Sequence, residues 1–239
     1  MVSKRLTTPG TLWWDFDGTL VSRPSMWADV GIRLLDRCAP GHGVPAAAIR
    51  DGVLRGLPWH REDHAHPDLD TADRWWDAVY RRYAEIFAGL HCNPAIDDAA
   101  LPAIRHDILD ASAYHVFDDV PAALTRAAAT GWRNIIVSNH VPELPDLVAA
   151  LGLTPFFEAI VTSGVVGYEK PHRRLFEEAM RHTPPGHAVW MIGDNCEADC
   201  RPVCAMGMNA VLLRTTTTPA FQHEAADAMA AVELIGRAE

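Results

Sequence analysis

Lysine is almost missing from this sequence. Its 239 residues carry 21 basic side chains, of which only Lys4 and Lys170 are lysine. The balance is acidic, with a formal charge of −10. Nucleic acids and anionic membranes call for clustered Lys and Arg, so neither is expected as a partner. An anionic small substrate stays open, provided that metal, lysine and helix N-termini correct the charge locally. Long apolar runs are also missing. None approaches a membrane span, and Met1 to Gly10 lacks the apolar stretch of a secretory signal, so a cytoplasmic protein is expected. Cysteine is sparse and odd in number. Cys38, Cys92, Cys196, Cys200 and Cys204 fit reduced thiols better than a disulfide framework. Cys196, Cys200 and Cys204 recur at even spacing but without CxxC pairs, which favours small apolar packing over a metal site.

What is present is enough apolar residue, 49%, to bury a full core. The organising stretch is Trp13-Trp14-Asp15-Phe16-Asp17-Gly18-Thr19-Leu20. Thr11 to Trp14 are apolar or β-branched without alternation, the pattern of a strand buried on both faces of a parallel sheet. Ligands bind beyond the carboxyl ends of such strands, where Asp15 and Asp17 fall. Residues two apart point the same way, and two carboxylates held together suit a divalent cation and a division of nucleophile and acid roles. Gly18 lets the backbone turn away tightly.

Helical periodicity then takes over for about ninety residues, where a parallel crossover needs only a dozen or so. Helices are predicted over Pro24 to Cys38, Ala46 to Leu54, Thr71 to Leu90 and Ala99 to Ser112. The third is the strongest, with a stripe from Trp75 and Trp76 to Phe87 and Leu90, and Asp70 as its expected N-cap. The loop from His60 to Asp68 is rich in metal-competent side chains, but no ligand spacing fixes a geometry. It reads as a solvated loop or as a specificity loop.

From Asp118 onward strands and helices alternate. Helices are predicted over Val120 to Thr130, Pro142 to Leu151, Pro171 to Arg181 and Pro219 to Ile235. Strands are predicted over Arg133 to Val137, Ala159 to Thr162, Ala188 to Ile192 and Asn209 to Leu213. The fold class is therefore α/β: a doubly wound, Rossmann-like parallel sheet, residues 1–21 and 116–239, interrupted by a helical insertion at 22–115.

Three further sites stand at strand ends or helix mouths. Ser138 and Asn139 close one predicted strand, and Asp194 follows another in Met191-Ile192-Gly193-Asp194, with Asp199 five residues later. Lys170 precedes Pro171 at a helix mouth, where the chain abandons its preference for arginine. A compact ammonium fits beside two carboxylates and an anion better than a forked guanidinium does.

Asp-Phe-Asp-Gly-Thr resembles the first motif, DxDGT, of the haloacid dehalogenase superfamily. Ser138, Lys170-Pro171 and the Gly193-Asp194 to Asp199 segment resemble its second, third and fourth motifs, in the same order. Three positions depart from the pattern: His172 where relatives have an acidic residue, Ala198 for Asn and Pro202 for Gly. The resemblance implies a phosphohydrolase whose helical cap closes over the site. Asp15 would be the nucleophile, forming an aspartyl-phosphate, and Asp17 the acid and base. Asp15, Asp194 and the Asp17 backbone carbonyl would bind Mg²⁺, with Asp199 supporting them. Ser138, Asn139 and Lys170 would hold the substrate phosphate. A phosphomutase shares every one of these residues, and a non-catalytic binding module shares the fold. A 2-haloacid dehalogenase lacks the second acid, so Asp17 speaks against it. Phosphonate-cleaving relatives use a lysine from the cap, and Ser22 to His115 contains none. A small phosphorylated metabolite is the expected partner. Its identity, and the oligomeric state, are not encoded in these motifs.

Overall fold

The computed structural model describes residues 10–53, 57, 65–66, 68–69, 71–91, 96–97, 99–217 and 219–238. Strand β1, Gly10–Trp14, is buried along its whole length. Its side chains alternate between the two faces of a sheet, which explains the unbroken apolar pattern. Leu12 and Trp14 enter one core layer and Trp13 the opposite one. Each indole finds a partner: Trp14 Nε1 donates to Asn134 Oδ1 at 2.9 Å and Trp13 Nε1 to Thr183 Oγ1 at 3.1 Å.

After β1 a two-residue strand, β2 (Val21–Ser22), leads into four helices: α1 (Met26–Cys38), α2 (Ala46–Val53), α3 (Ala72–Gly89) and α4 (Pro102–Ile108). The chain returns through β3, His115–Val116, which pairs antiparallel with β2. These helices bury an apolar cluster of their own, including Leu34, Trp76, Tyr83, Phe87 and Ile104, which Val141 joins from the sheet side. Thr71 rather than Asp70 caps α3, its Oγ1 accepting from Arg74 N at 3.3 Å, and Asp70 lies outside the described residues. The fourth helix is shorter than the pattern predicts. Asp110 Oδ1 accepts from Ser112 N and from Ser112 Oγ, turning the chain into a separate 3₁₀ turn at Ala111–Ala113.

The remainder runs α5 (Val120–Ala129), β4 (Trp132–Ser138), α6 (Leu144–Ala150), β5 (Ala159–Thr162), α7 (Ser163–Val166) and α8 (Arg173–Arg181). It ends with β6 (Ala188–Gly193), α9 (Arg201–Ala205), β7 (Asn209–Leu213), β8 (Glu224–Ala225) and α10 (Ala228–Ala238). The sheet is parallel throughout, in the order β5-β4-β1-β6-β7-β8. One face packs on residues of α5 and α10, such as Leu124 and Ile235, and the other on Leu175, Phe176 and Val203 of α8 and α9. The helix expected from Pro219 starts only at Ala228. Before it, Glu224 accepts from Phe221 N and Thr217 N and Leu212 pairs with Glu224, so this stretch becomes an edge strand. Asp227 Oδ1 then caps α10 by accepting from Ala230 N. Among the described residues no helix is long and apolar enough to cross a membrane.

Candidate active site

The site begins where β1 runs out. Trp14 pairs with Ile136 on one side and Ile192 on the other, and Asp15 N continues the ladder to Ile192 O at 2.9 Å. The ends of β4 and β6, Ser138 and Gly193, therefore reach the same edge as Asp15. Strand order reverses here, because the chain adds β4 and β5 to one side of β1 and β6 to the other. A crevice at the carboxyl end of such a reversal is the expected place for a ligand.

Asp15 is 7% exposed, and its Oδ1 carries two donors: Ser138 Oγ at 2.9 Å and Lys170 Nζ at 2.6 Å. Lys170 Nζ also donates to Asp199 Oδ1 at 2.6 Å. Burial acts to lower the Lys170 pKa, but these two carboxylates outweigh it and hold the ammonium above its ordinary range. Burial pushes Asp199 up, and Lys170 opposes it. Asp199 Oδ2 accepts from Asn195 N at 3.0 Å. It thus ties the turn after β6 to the lysine. The N-cap of the wide helical turn at Cys196–Cys200 is Asn195, so Asp199 serves as a buried anchor rather than a cap.

Two glycines are needed because carboxylates crowd them. A Cβ on Gly18, whose φ is 78°, would lie 2.2 Å from Asp194 Oδ2, and one on Gly193 would lie 2.3 Å from Asp199 Oδ2. The motif glycines therefore let the loops close around the acids.

Asp17 stands apart from this cluster. Burial raises its carboxyl to about 7, aided by the charges of Asp15 and Asp194. Its Oδ2 lies 3.6 Å from Nε2 of His140. His140 is 5% exposed, and burial lowers its pKa to about 3, so the imidazole is neutral. The Asp17 carboxyl also borders a cavity of about 520 Å³ between the sheet edge and α1 and α2, which Arg23, Trp27 and Arg50 help to line. Arg23 donates to the carbonyls of Asp107 and Ile108 at 2.7 and 2.8 Å and stacks over Tyr114, which fastens this wall to the end of α4.

Among the described residues one acidic group has the make-up of a cation site. Ligand atoms of Asp15, Asp194 and Asp199 lie within 4.8 Å of one another. The donors are all carboxylate oxygens, as Mg²⁺ prefers. Burial and then the charge of Asp15 raise Asp194 to about 6, so the cluster holds more negative charge than Lys170 alone balances. That is the electrostatic condition a divalent ion relieves, and the residues fit it. Asp199 is already committed to Lys170 and Asn195, which leaves Asp15 and Asp194 as the accessible ligands.

Asp15, Asp17, Ser138, Asn139, Lys170, Asp194 and Asp199 all come to this edge, but Asn139 differs in what it touches. Its Oδ1 accepts from Lys170 N at 2.6 Å and its Nδ2 donates to Lys170 O at 3.0 Å. Both ends of the amide grip the lysine backbone, so Asn139 positions Lys170 rather than offering its side chain to a substrate. His172, the departure from the motif, caps α8 by accepting from Arg174 N at 3.2 Å. Cys196 and Cys200 are buried in the core while Cys204 is exposed, in keeping with the packing reading. Most of the histidine-rich loop, residues 60–64 and 67, lies outside the described residues. His140 and Glu169 escaped the sequence reading. Their only signal is adjacency, one following Ser138-Asn139 and the other preceding Lys170.

A sequence model of the family described as haloacid dehalogenase-like hydrolase matches residues 10–202. "Haloacid dehalogenase-like hydrolase domain-containing protein 3" of Bos taurus is 26% identical over 209 residues, covering 84% of this chain and 80% of the relative. "Phosphoserine phosphatase" of Thermus thermophilus is 33% identical over 173 residues, covering 70% of this chain and 66% of the relative. Among solved structures, the HAD-hydrolase YfnB of Bacillus subtilis bound to magnesium superposes with a TM-score of 0.73 at 17% identity, covering 96% of this chain and 99% of its own. L-2-haloacid dehalogenase of Xanthobacter autotrophicus superposes with a TM-score of 0.67 at 17% identity, covering 95% and 98%. At such identities the structures speak for the fold alone.

Proposed function

Since the chain belongs to the haloacid dehalogenase-like hydrolase family, we propose that it is a Mg²⁺-dependent phosphohydrolase that cleaves a small phosphate monoester through an aspartyl-phosphate. The observation that carries this reading is Asp17. It is a second carboxyl at the site mouth, raised to about 7, able to donate a proton and take one back near neutral pH. Displacing halide from carbon needs no such acid, whereas expelling an alkoxide from phosphorus does.

Asp15 is the nucleophile in this scheme. Its Oδ1 is held by Ser138 and Lys170, leaving Oδ2 to attack phosphorus. The ester P–O bond breaks as the Asp15–phosphorus bond forms, and Asp17 gives its proton to the departing alkoxide. Asp17, now a carboxylate, takes a proton from the water that attacks the phospho-aspartate. Inorganic phosphate leaves and Asp15 is restored. Lys170 offsets charge on the transferring oxygens, with Ser138 Oγ close by. Asp15, Asp194 and the Asp17 backbone carbonyl would hold Mg²⁺. When bound, the ion neutralises phosphate charge and helps to orient the ester. Helices α1–α4 act as the cap that selects the leaving group.

The test is hydrolysis of p-nitrophenyl phosphate with Mg²⁺ and with excess chelator, alongside chloride release from 2-chloropropionate. Chelator-sensitive phosphate release with no chloride is expected. Full activity in chelator would remove the metal from the reading, and metal-free chloride release would replace phosphatase by dehalogenase.

A further inference from the structure

Beside the 520 Å³ cavity lies a smaller, more enclosed one of about 60 Å³, bordered by Asp17, His140, Glu169, Trp27 and Trp75. Two of these residues carry buried polar atoms with no hydrogen-bond partner: His140 Nδ1, His140 Nε2 and Glu169 Oε2. Both residues are almost wholly buried, at 5% and 2% exposure. Native interiors rarely leave such groups unpaired, and three on residues around one cavity beside Asp17 call for a ligand group or ordered water. The space is far below the roughly 150 Å³ of a cavity that accepts benzene, so a hydroxyl-sized group fits and a ring does not.

We propose that this cavity is a leaving-group subsite for a hydroxyl on the carbon next to the ester carbon, which Glu169 and His140 bind by hydrogen bonds. The proposal rests on the phosphohydrolase reading and narrows its substrate class to phosphates of vicinal diols.

Asp17 borders both cavities, so the ester oxygen it protonates sits at their junction and the neighbouring carbon faces the smaller one. A neutral imidazole offers one N–H and one lone pair. Glu169 is raised to about 7 by burial, against the pull of its bond to Ser163 and the charge of Lys170, so it too can donate or accept. A hydroxyl matches that mixed set because it does both. A hydroxyl can pair with Glu169 Oε2 and one ring nitrogen of His140 at once, whereas a methyl would leave both unpaired. Sites built to bond a hydroxyl reject analogues that lack it, here by an expected ten- to hundredfold.

The experiment compares kcat/KM for 2-hydroxypropyl, 2-aminopropyl and n-propyl phosphate, with p-nitrophenyl phosphate as a control for phosphoryl transfer. Wild type should prefer the hydroxyl compound to the propyl compound by about tenfold or more. His140→Phe, which keeps an aromatic ring against Phe16 and Tyr114, and Glu169→Leu should each pull that ratio toward one. Glu169→Gln, which still bonds a hydroxyl, should keep most of it. Circular dichroism checks folding, and the wild-type ratio decides even if a variant fails to fold. A wild-type ratio near one means that the cavity holds only water, and overturns the subsite while the aryl phosphate result keeps the enzyme class. A strong ratio untouched by both His140→Phe and Glu169→Leu also overturns it, as does preference for the amine, which would make the cavity a cation pocket. Failure to hydrolyse any phosphate ester overturns the enzyme class and this inference with it.

Discussion

Asp15 and Lys170 are the two residues for which charge, geometry and proposed role are most tightly bound together. Asp15→Asn keeps the volume but turns a carboxylate into a poor nucleophile, so turnover should vanish while the fold remains. Near-normal kcat in a folded Asn variant would take Asp15 out of its role. Lys170 joins Asp15 to Asp199 through two contacts of 2.6 Å. Lys170→Ala leaves two buried carboxylates without a counter-charge, so it should lose about 3–5 kcal/mol of metal-free stability and on the order of a hundredfold in kcat. Lys170→Arg keeps the charge without the compact shape, and should fall between. An Ala variant as stable as wild type would mean that water already compensates these acids. Asp17→Asn should harm alkyl phosphates, which need protonation, more than nitrophenyl phosphate, which needs little. Equal losses on both would make Asp17 a structural residue.

At the scale of elements, one shared carboxylate ties α3 and α4 to the start of α6. Trp76 of α3 donates from Nε1 to both carboxylate oxygens of Glu143 at 3.0 and 3.1 Å, and Arg105 of α4 pairs with the same carboxylate at 2.5 Å. Trp76→Phe retains most of the apolar contact and deletes the indole donor, so a stability loss of about 1–3 kcal/mol is expected. If the insertion is a cap, that variant should also change KM for bulky esters more than for a small aryl phosphate. A uniform change across the panel would assign the contact to folding alone. The three strand-end motifs were legible because each is a local signal: a buried apolar run that stops at a glycine, a hydroxyl or an acid. The contacts of the Asn139 side chain were hidden because its partner, the Lys170 backbone, lies 31 residues away. The late start of α10 was hidden for the same reason. Nothing in the Ala-rich run after Pro219 announces that Glu224 will pair with β7, since edge pairing is a tertiary event that overrides local propensity. His140 likewise becomes meaningful only once the fold brings Asp17 and Glu169 around it.

The whole molecule has a pH dependence that follows from its surplus of buried acid. Asp17, at about 7, and Asp194, at about 6, bind protons more tightly in the folded chain than in the unfolded one. Their contribution to stability is therefore complete below the unfolded carboxylate range, near pH 4, and is lost as pH rises through 6 to 7. His140, lowered to about 3 by burial, acts in the opposite sense. Unfolding lets it take a proton, so it destabilises the fold progressively as pH falls below about 6.5. Metal-free protein should thus lose stability from the acids on the alkaline side and from His140 on the acid side. Mg²⁺ binds only ionised carboxylates, so it should restore what the acids lose and leave the histidine branch untouched. At about a hundredfold excess over its dissociation constant, Mg²⁺ should raise Tm by on the order of 5–10 °C near pH 8. Near pH 5, where Asp17 and Asp194 are largely protonated in the metal-free fold, the shift should be small. Asp194→Asn should abolish the shift at pH 8, because it removes one of the two accessible ligands together with its charge. Thermal melts of wild type and this variant at the two pH values, with and without Mg²⁺, measure all of this in the absence of substrate. A Mg²⁺ shift of equal size at both pH values, or one that survives Asp194→Asn, would place the ion somewhere other than the acidic cluster at the end of β1 and β6.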